Sequence, residues 1–335
     1  MTAVRALVPL LLALAACRAP AAARAGLELV VLGTAQDGGM PHVGCTRDCC
    51  VEARVAGRER YPACLGVRDL GSGALCLIEA TPRVEPQLAL LHDFAGDRDR
   101  APRSNPVDAV LLTHAHIGHY LGLAQFGKEV ASTSALPVHL SPRFAGFLRD
   151  NAPWSQLVDL GQIELREVAA GEAFDPLPGL TVRALAVPHR DEFSDTFAYR
   201  LEGPRRTVLF VPDVDGWSDQ PGLLDELLEG VDVAYLDATF YDGSELPGRD
   251  LSQIRHPFVT DTMERLADAA ANAPAASASS TSTTPTRCGA TPGCAPTSIA
   301  AASASLSVAS GWSCSSRRRY SVWLKRGPSA RFFVR

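Results

Sequence analysis

Val110-Leu-Leu-Thr-His-Ala-His-Ile-Gly-His119 is the stretch on which the fold turns. An apolar run ends in three histidines, His114, His116 and His119. Neutral imidazole is the commonest biological ligand for zinc and related metals. In extended backbone, residues i and i+2 point the same way. His114 and His116 can therefore grip one ion from the end of a strand. His119 opens a helix expected over 119–130 and would face the same cavity from another side.

Similar exits recur downstream. Thr181 to Val187 alternates and runs into Pro188-His189, and the β-branched and aromatic run Thr207 to Val211 stops at Pro212-Asp213. Val231 to Leu236 leads into Asp237-Ala-Thr-Phe240. Short apolar runs bounded by Pro, Gly and Asp read as buried strands, and polar residues just past them form open sites at a sheet edge. Strands are expected at 27–33, 75–80, 107–112, 137–140, 162–168, 179–187, 196–202, 206–211 and 231–236. Helices are expected at 119–130, 142–150, 221–229 and 257–272. After the first strand the chain reads Gly33-Thr-Ala-Gln-Asp-Gly-Gly39. That is not the phosphate-cradling GxGxxG, so a Rossmann fold has little support.

With these residues the chain resembles the metallo-β-lactamase fold, which carries an HxHxDH motif, a later His, a bridging Asp and a last His. His114, His116 and His119 match the first motif, His189 the lone His and Asp213 the bridging Asp. Asp237 stands where phosphodiesterase members carry an acid in an (E/D)AT motif. The resemblance covers 27–266 and is strongest to PqqB-like proteins, linked to pyrroloquinoline quinone biosynthesis. The segment Leu32 to Cys45 and the stretch Arg60 to Gln87, with Glu79-Ala-Thr-Pro, carry that likeness. It implies an α/β fold, a four-layer αββα sandwich of two face-to-face sheets with helices outside. Gly118 stands in place of the motif's Asp, so the second metal position keeps only His119 and Asp213.

The resemblance implies a metal-dependent hydrolase acting on a small ester, phosphodiester or amide through a metal-bound water. His114, His116 and His189 would hold one Zn2+, and Asp213 would orient the water or bridge to a second ion with His119. Asp237 would donate a proton to the leaving group. The same ligands suit Fe2+, which would make the chain an oxidoreductase in quinone cofactor biosynthesis. The missing ligands also fit a metal-binding protein with impaired catalysis.

Cys45, Cys49 and Cys50 cluster in a loop after the first strand, a spacing that suits a small structural zinc or, in an exported chain, a disulfide. PhnP-type phosphodiesterases and PqqB-like proteins hold a structural zinc in a C-x-C-x-x-C loop, and in the PhnP type a distant His completes the site. His256 is the candidate for that role here. Cys64 and Cys76 read as buried thiols, with a disulfide between them as the alternative. His42, His92 and His139 read as loop or core histidines, His42 lying beside the cysteine loop.

Residues 1–25 have the pattern of an export signal, with Arg5 followed by the apolar run Ala6 to Ala16. Leu14-Ala-Ala-Cys17 resembles a lipobox, which would anchor the protein to a membrane through a lipid on Cys17. Cleavage after Ala23-Arg-Ala25 would instead release a soluble periplasmic protein. Residues 26–268 make one domain, long enough for a substantial core. A formal net charge of −5, with scattered arginines, gives no basic stripe for nucleic acid. A small-molecule substrate is the expected partner.

From 269 to 335 the chain becomes rich in Ala, Ser, Thr and Pro, with Arg317-Arg-Arg319 near the end. Composition makes this a low-complexity, disordered tail. A second reading is a frameshift. Ordinary codons for Ser279 to Gly289, read one nucleotide out of register, give Phe-Ile-His-Leu-Asn-His-Thr-Asn-Pro-Leu-Trp. That is the kind of segment expected to bring the family's last histidine. Sequencing the gene across these codons tests the frameshift: an inserted or lost nucleotide is expected, and a confirmed present frame refutes it.

Overall fold

The computed structural model describes residues 26–96, 105–246 and 248–272, together with the strands 304–308 and 322–326. The expected export signal, with Cys17, lies outside the described residues. So does the stretch Ser279 to Gly289.

Six strands form the first sheet in sequential order: β1 (Leu27–Gly33), β2 (Cys64–Asp69), β3 (Leu75–Ile78), β4 (Ala109–Leu111), β5 (Leu136–Leu140) and β6 (Ile163–Glu167). β1, β2 and β3 pair antiparallel, and β3 to β6 run parallel. The second sheet contains β7 (Ala173–Leu177), β8 (Leu180–Ala186), β9 (Phe197–Glu202), β10 (Thr207–Val211) and β11 (Val233–Leu236). β7 to β10 are antiparallel neighbours, and β11 lies parallel to β10.

The sheets pack face to face. Leu65, Val67, Ile78 and Leu111 of the first meet Val182, Phe197, Tyr199 and Leu201 of the second in one buried layer. On the outer face of the first sheet lie α2 (Val84–Ala95), α4 (Pro142–Asp150) and α5 (Trp154–Asp159), which bury Leu91, Phe144 and Leu157. α6 (Leu223–Leu228) and α7 (Val259–Asn272) cover the second sheet with Leu224, Leu227, Val259 and Leu266. The result is the expected αββα sandwich.

Local chemistry explains which elements escaped the sequence reading. β2 carries Gly66, Arg68 and Asp69, which interrupt its apolar run. β7 contains Pro176, tolerated because β7 is an edge strand that needs partners on one side only. α2 has Pro86 in its first turn, where the missing N–H costs nothing. α1 (Asp48–Val55) has no strong amphipathic pattern and buries only Cys50 and Ala53. The helix expected over 119–130 is shorter: α3 (Ile117–Tyr120) continues as a 3₁₀ run, Leu121–Phe126.

Two stretches of the expected tail take strand form, β12 (Ala304–Val308) and β13 (Val322–Arg326). They extend the second sheet through antiparallel pairing of β13 with β11. An open strand edge offers backbone groups to a partner irrespective of side-chain pattern, which is why periodicity gave no sign of it. Among the described residues no helix is long and apolar enough to cross a membrane.

Topology sets the site. β1, β3 and β4 run in one direction, so Asp37, Glu79 and His114 all follow strands that end at the same edge. β8, β10 and β11 likewise run together, and His189, Asp213 and Asp237 follow their ends. Cross-ties hold the two edges in register: the Tyr199 hydroxyl donates to the Leu112 carbonyl (2.6 Å), and the Ala115 N–H donates to Ser194 Oγ (2.8 Å).

Gly122 fits the helix against the end of β3. Its N–H donates to the Ala80 carbonyl (2.8 Å), and a Cβ there would lie 2.2 Å from the Thr81 carbonyl oxygen. Gly122→Ala must displace backbone, and we expect a loss of about 1–3 kcal/mol in denaturant unfolding. Unchanged stability would refute this close approach.

Candidate metal centre

His114, His116, His189 and Asp213 converge, each offering one donor atom within 4.8 Å of the others. His114 Nε2 and His116 Nδ1 lie 3.0 Å apart, as expected for histidines at i and i+2 after a strand. His119 joins from α3. Asp213 Oδ2 is the common neighbour, 3.4 Å from His114 Nε2, 3.5 Å from His119 Nε2 and 3.4 Å from His189 Nε2. These separations are long for hydrogen bonds. They match the edge of a tetrahedron of ligands about 2.0–2.1 Å from one cation, roughly 3.3–3.4 Å.

The other nitrogen of each ring faces an oxygen. His114 Nδ1 lies 2.9 Å from Thr113 Oγ1, and His116 Nε2 lies 3.1 Å from Glu192 Oε2. His189 Nδ1 is 3.2 Å from Asp215 Oδ1, and His119 Nδ1 is 3.4 Å from Glu79 Oε2. Outer oxygens of this kind fix the ring orientation and aim the opposite nitrogen at a metal. Glu79 is fully buried with a backbone φ of 80°, a strained conformation for a side chain of its size.

A divalent cation fits what this geometry leaves unsatisfied. His119 Nε2 and His189 Nε2 are buried without a hydrogen-bond partner, each costing about 1–3 kcal/mol if left so. Burial alone would push His119 down, yet the carboxylates of Asp213 and Glu79 hold it well above the usual imidazole range. His114 is driven down to about 3 by burial, helped by the charge on His119. Burial would raise Asp213, but His119 and the imidazoles of His114 and His189 hold it well below the usual carboxylate range. The centre thus holds its positive charge on one ring, the role a cation takes over.

Asp37 and His256 complete the surroundings. Asp37 Oδ1 lies 3.2 Å from His119 Nε2. His256 was expected to complete a structural zinc site with Cys45, Cys49 and Cys50, and this is corrected. His256 Nδ1 is bonded to Asp237 Oδ2 (2.6 Å), and its ring stands 5.1 Å from that of His189. Among the described residues no cysteine belongs to a group of three or more metal-donor atoms. Cys45, Cys49 and Cys50 instead pack with Met40 and Ala53, with Cys49 Sγ 3.9 Å from Cys50 Sγ and Cys49 engaged in a disulfide. Cys64 and Cys76 are buried free thiols on opposite faces of the first sheet, which excludes a disulfide between them.

Asp237 accepts the Val214 N–H, the Thr239 N–H and the Thr239 hydroxyl in addition to facing His256. A cavity of about 240 Å³ opens onto Asp213, bordered also by Asp37, His42, Arg190, Asp237 and His256. Sequence reading placed the four histidines and Asp213 but overlooked Asp37, Glu79, Glu192 and Asp215. Asp37 and Glu79 gave the same signal as the others, a polar residue just past a buried strand.

Two sheets joined at a histidine-rich edge define the metallo-β-lactamase fold, and residues 77–278 match the model of the Beta-lactamase superfamily domain. The chain belongs to that family. Within it the chain is PqqB-like. It is 27% identical over 236 residues to the coenzyme PQQ synthesis protein B of Rhizobium meliloti (strain 1021), covering 66% of this chain and 74% of that one. The Zn(2+)-bound PqqB from Methylobacterium extorquens superposes with a TM-score of 0.53 at 22% identity, over 65% of this chain and 73% of that chain. A diphosphatase from the PhnP family gives 0.50 at 20% identity, over 72% and 82% of the two chains.

Asp213→Asn should remove most bound metal, because one oxygen serves three imidazoles. Glu192→Gln leaves the ligands in place and should weaken binding less, by about 10- to 100-fold. Metal titration followed by mass spectrometry gives the order, and equal losses would refute this division of labour. Affinity should also climb as pH rises, since uptake must expel the proton held on His119.

Proposed function

We propose that the chain is a zinc-dependent hydrolase of a small ester, phosphodiester or amide. The observation that carries this reading is the set of inward-facing imidazole nitrogens around Asp213 Oδ2, with Asp213 and His119 at the wall of a cavity. When bound there, zinc lowers the pKa of a coordinated water toward neutrality and draws charge from a substrate oxygen.

The chain's own residues divide the remaining work. His114, His116 and His189 would hold the metal, their rings oriented by Thr113, Glu192 and Asp215. Asp213 belongs to both donor groups and would serve either metal position. Arg190 stands at the cavity wall, 3.4 Å from Glu192, and would offer a positive charge to an anionic substrate such as a phosphodiester.

Asp237 was expected to donate the proton to the leaving group. Its contacts are all with donors or an imidazole, so it acts as an acceptor that orients His256. Burial would lower His256, but the Asp237 carboxylate raises it to about 9. His256 therefore keeps its proton at neutral pH and delivers it to a departing alkoxide.

Zinc-loaded protein should hydrolyse bis(p-nitrophenyl) phosphate, and His116→Ala should abolish this. His256→Ala should cost about 10²–10⁴-fold in kcat with an alkoxide leaving group and much less with p-nitrophenolate, which leaves without a proton. Activity requiring protonated His256 should fall as pH rises past about 9, and Asp237→Asn should move that fall to lower pH. Oxygen consumption by iron-loaded protein, with no hydrolysis by the zinc form, would replace this reading with an oxidoreductase.

A further inference from the structure

The second metal position lacks its usual carboxylate, because Gly118 stands where the HxHxDH motif has Asp. The space beside Gly118 is nevertheless filled. A Cβ built on Gly118 would lie 2.1 Å from Asp37 Cγ and 2.5 Å from Asp37 Oδ1. Asp37 comes from the loop after β1, yet its carboxylate occupies the volume that a side chain at 118 would need. The same carboxylate is 3.2 Å from His119 Nε2. Asp37, His119 and Asp213 each present one donor atom within 4.8 Å of the others.

We propose that Asp37 is the carboxylate ligand of the second metal position, transferred from position 118 to the β1 loop. The inference rests on the metal reading above and adds a residue to it. A glycine at 118 is then a requirement rather than a loss, since side chains at 37 and 118 compete for one space. The loop is built to hold this placement. The Thr34 and Ala35 N–H groups both donate to the Tyr61 carbonyl, Ala63 N–H donates to the Ala35 carbonyl, and Met40 and Arg60 exchange a pair of backbone hydrogen bonds. His119 is steadied from behind by Glu79, so its Nε2 stays turned toward Asp37 and Asp213. The position thus has three protein ligands and does not depend on a histidine from the tail.

The test is zinc stoichiometry and affinity in the full chain, read by mass spectrometry and by metal-dependent melting rather than by turnover. Wild type should bind two zinc ions. Asp37→Ala should keep one and bind the second more weakly by at least the roughly 10- to 100-fold that an outer partner's loss produces. Asp37→Asn, which preserves the volume over Gly118, should do the same without loss of folding. Gly118→Asp in the Asp37→Ala background should restore the second ion, whereas Gly118→Asp alone should not improve on wild type. Two ions bound with unchanged affinity in Asp37→Asn would overturn the proposal. One ion in wild type, unaffected by Asp37→Asn, would overturn it while leaving the first centre intact. No zinc in wild type would overturn both.

Discussion

Everything at this site depends on a shared strand direction. β1, β3 and β4 end at one edge of their sheet, and β8, β10 and β11 end at the facing edge of theirs. Each exit is a place where buried backbone has just finished its ladder and the chain must turn. Polar side chains planted there meet across the seam at no cost to either sheet's hydrogen bonding. The Tyr199–Leu112 and Ser194–Ala115 bonds keep the seam from sliding.

Crowding is the second constraint. Imidazoles brought this close cannot all be protonated, and buried ring nitrogens cannot be left unpaired without penalty. The outer oxygens of Thr113, Glu192 and Asp215 answer part of the demand, Glu79 faces His119 at 3.4 Å, and the inner nitrogens are left facing Asp213. Electrostatics is settled by the same arrangement, with a depressed carboxylate at the centre and one ring held charged.

The sandwich and its principal ligands were legible because both are written in local pattern. Apolar runs closed by His or Asp declare a strand and its exit together, and His114, His116, His119, His189 and Asp213 all followed this rule. Asp37 obeyed it too, but it lies four residues beyond Gly33 in a Gly-rich stretch weighed only as a phosphate loop. Glu79 was absorbed into the strand before it. Nothing local could assign His256, since its partner Asp237 is reached only through the return of the chain after a 3₁₀ turn, Leu251–Gln253. The cysteines misled for the opposite reason: their spacing suggested a site, whereas Cys49 is taken up in a disulfide and His256 is committed to Asp237.

The first sheet is built from residues 27–167, and β7 to β11 of the second from residues 173–236. Asp213 belongs to the later stretch, and Asp37, His114 and His119 to the earlier. A cation held among them is therefore a cross-link between the two stretches, closing chain segments of very unequal length. Closure entropy grows only slowly with segment length, so the long connections add little to the cost of assembly. The metal then acts as a rivet through the open edge of the sandwich, and its binding energy is felt as cohesion between two layers whose remaining contact is largely apolar and without direction.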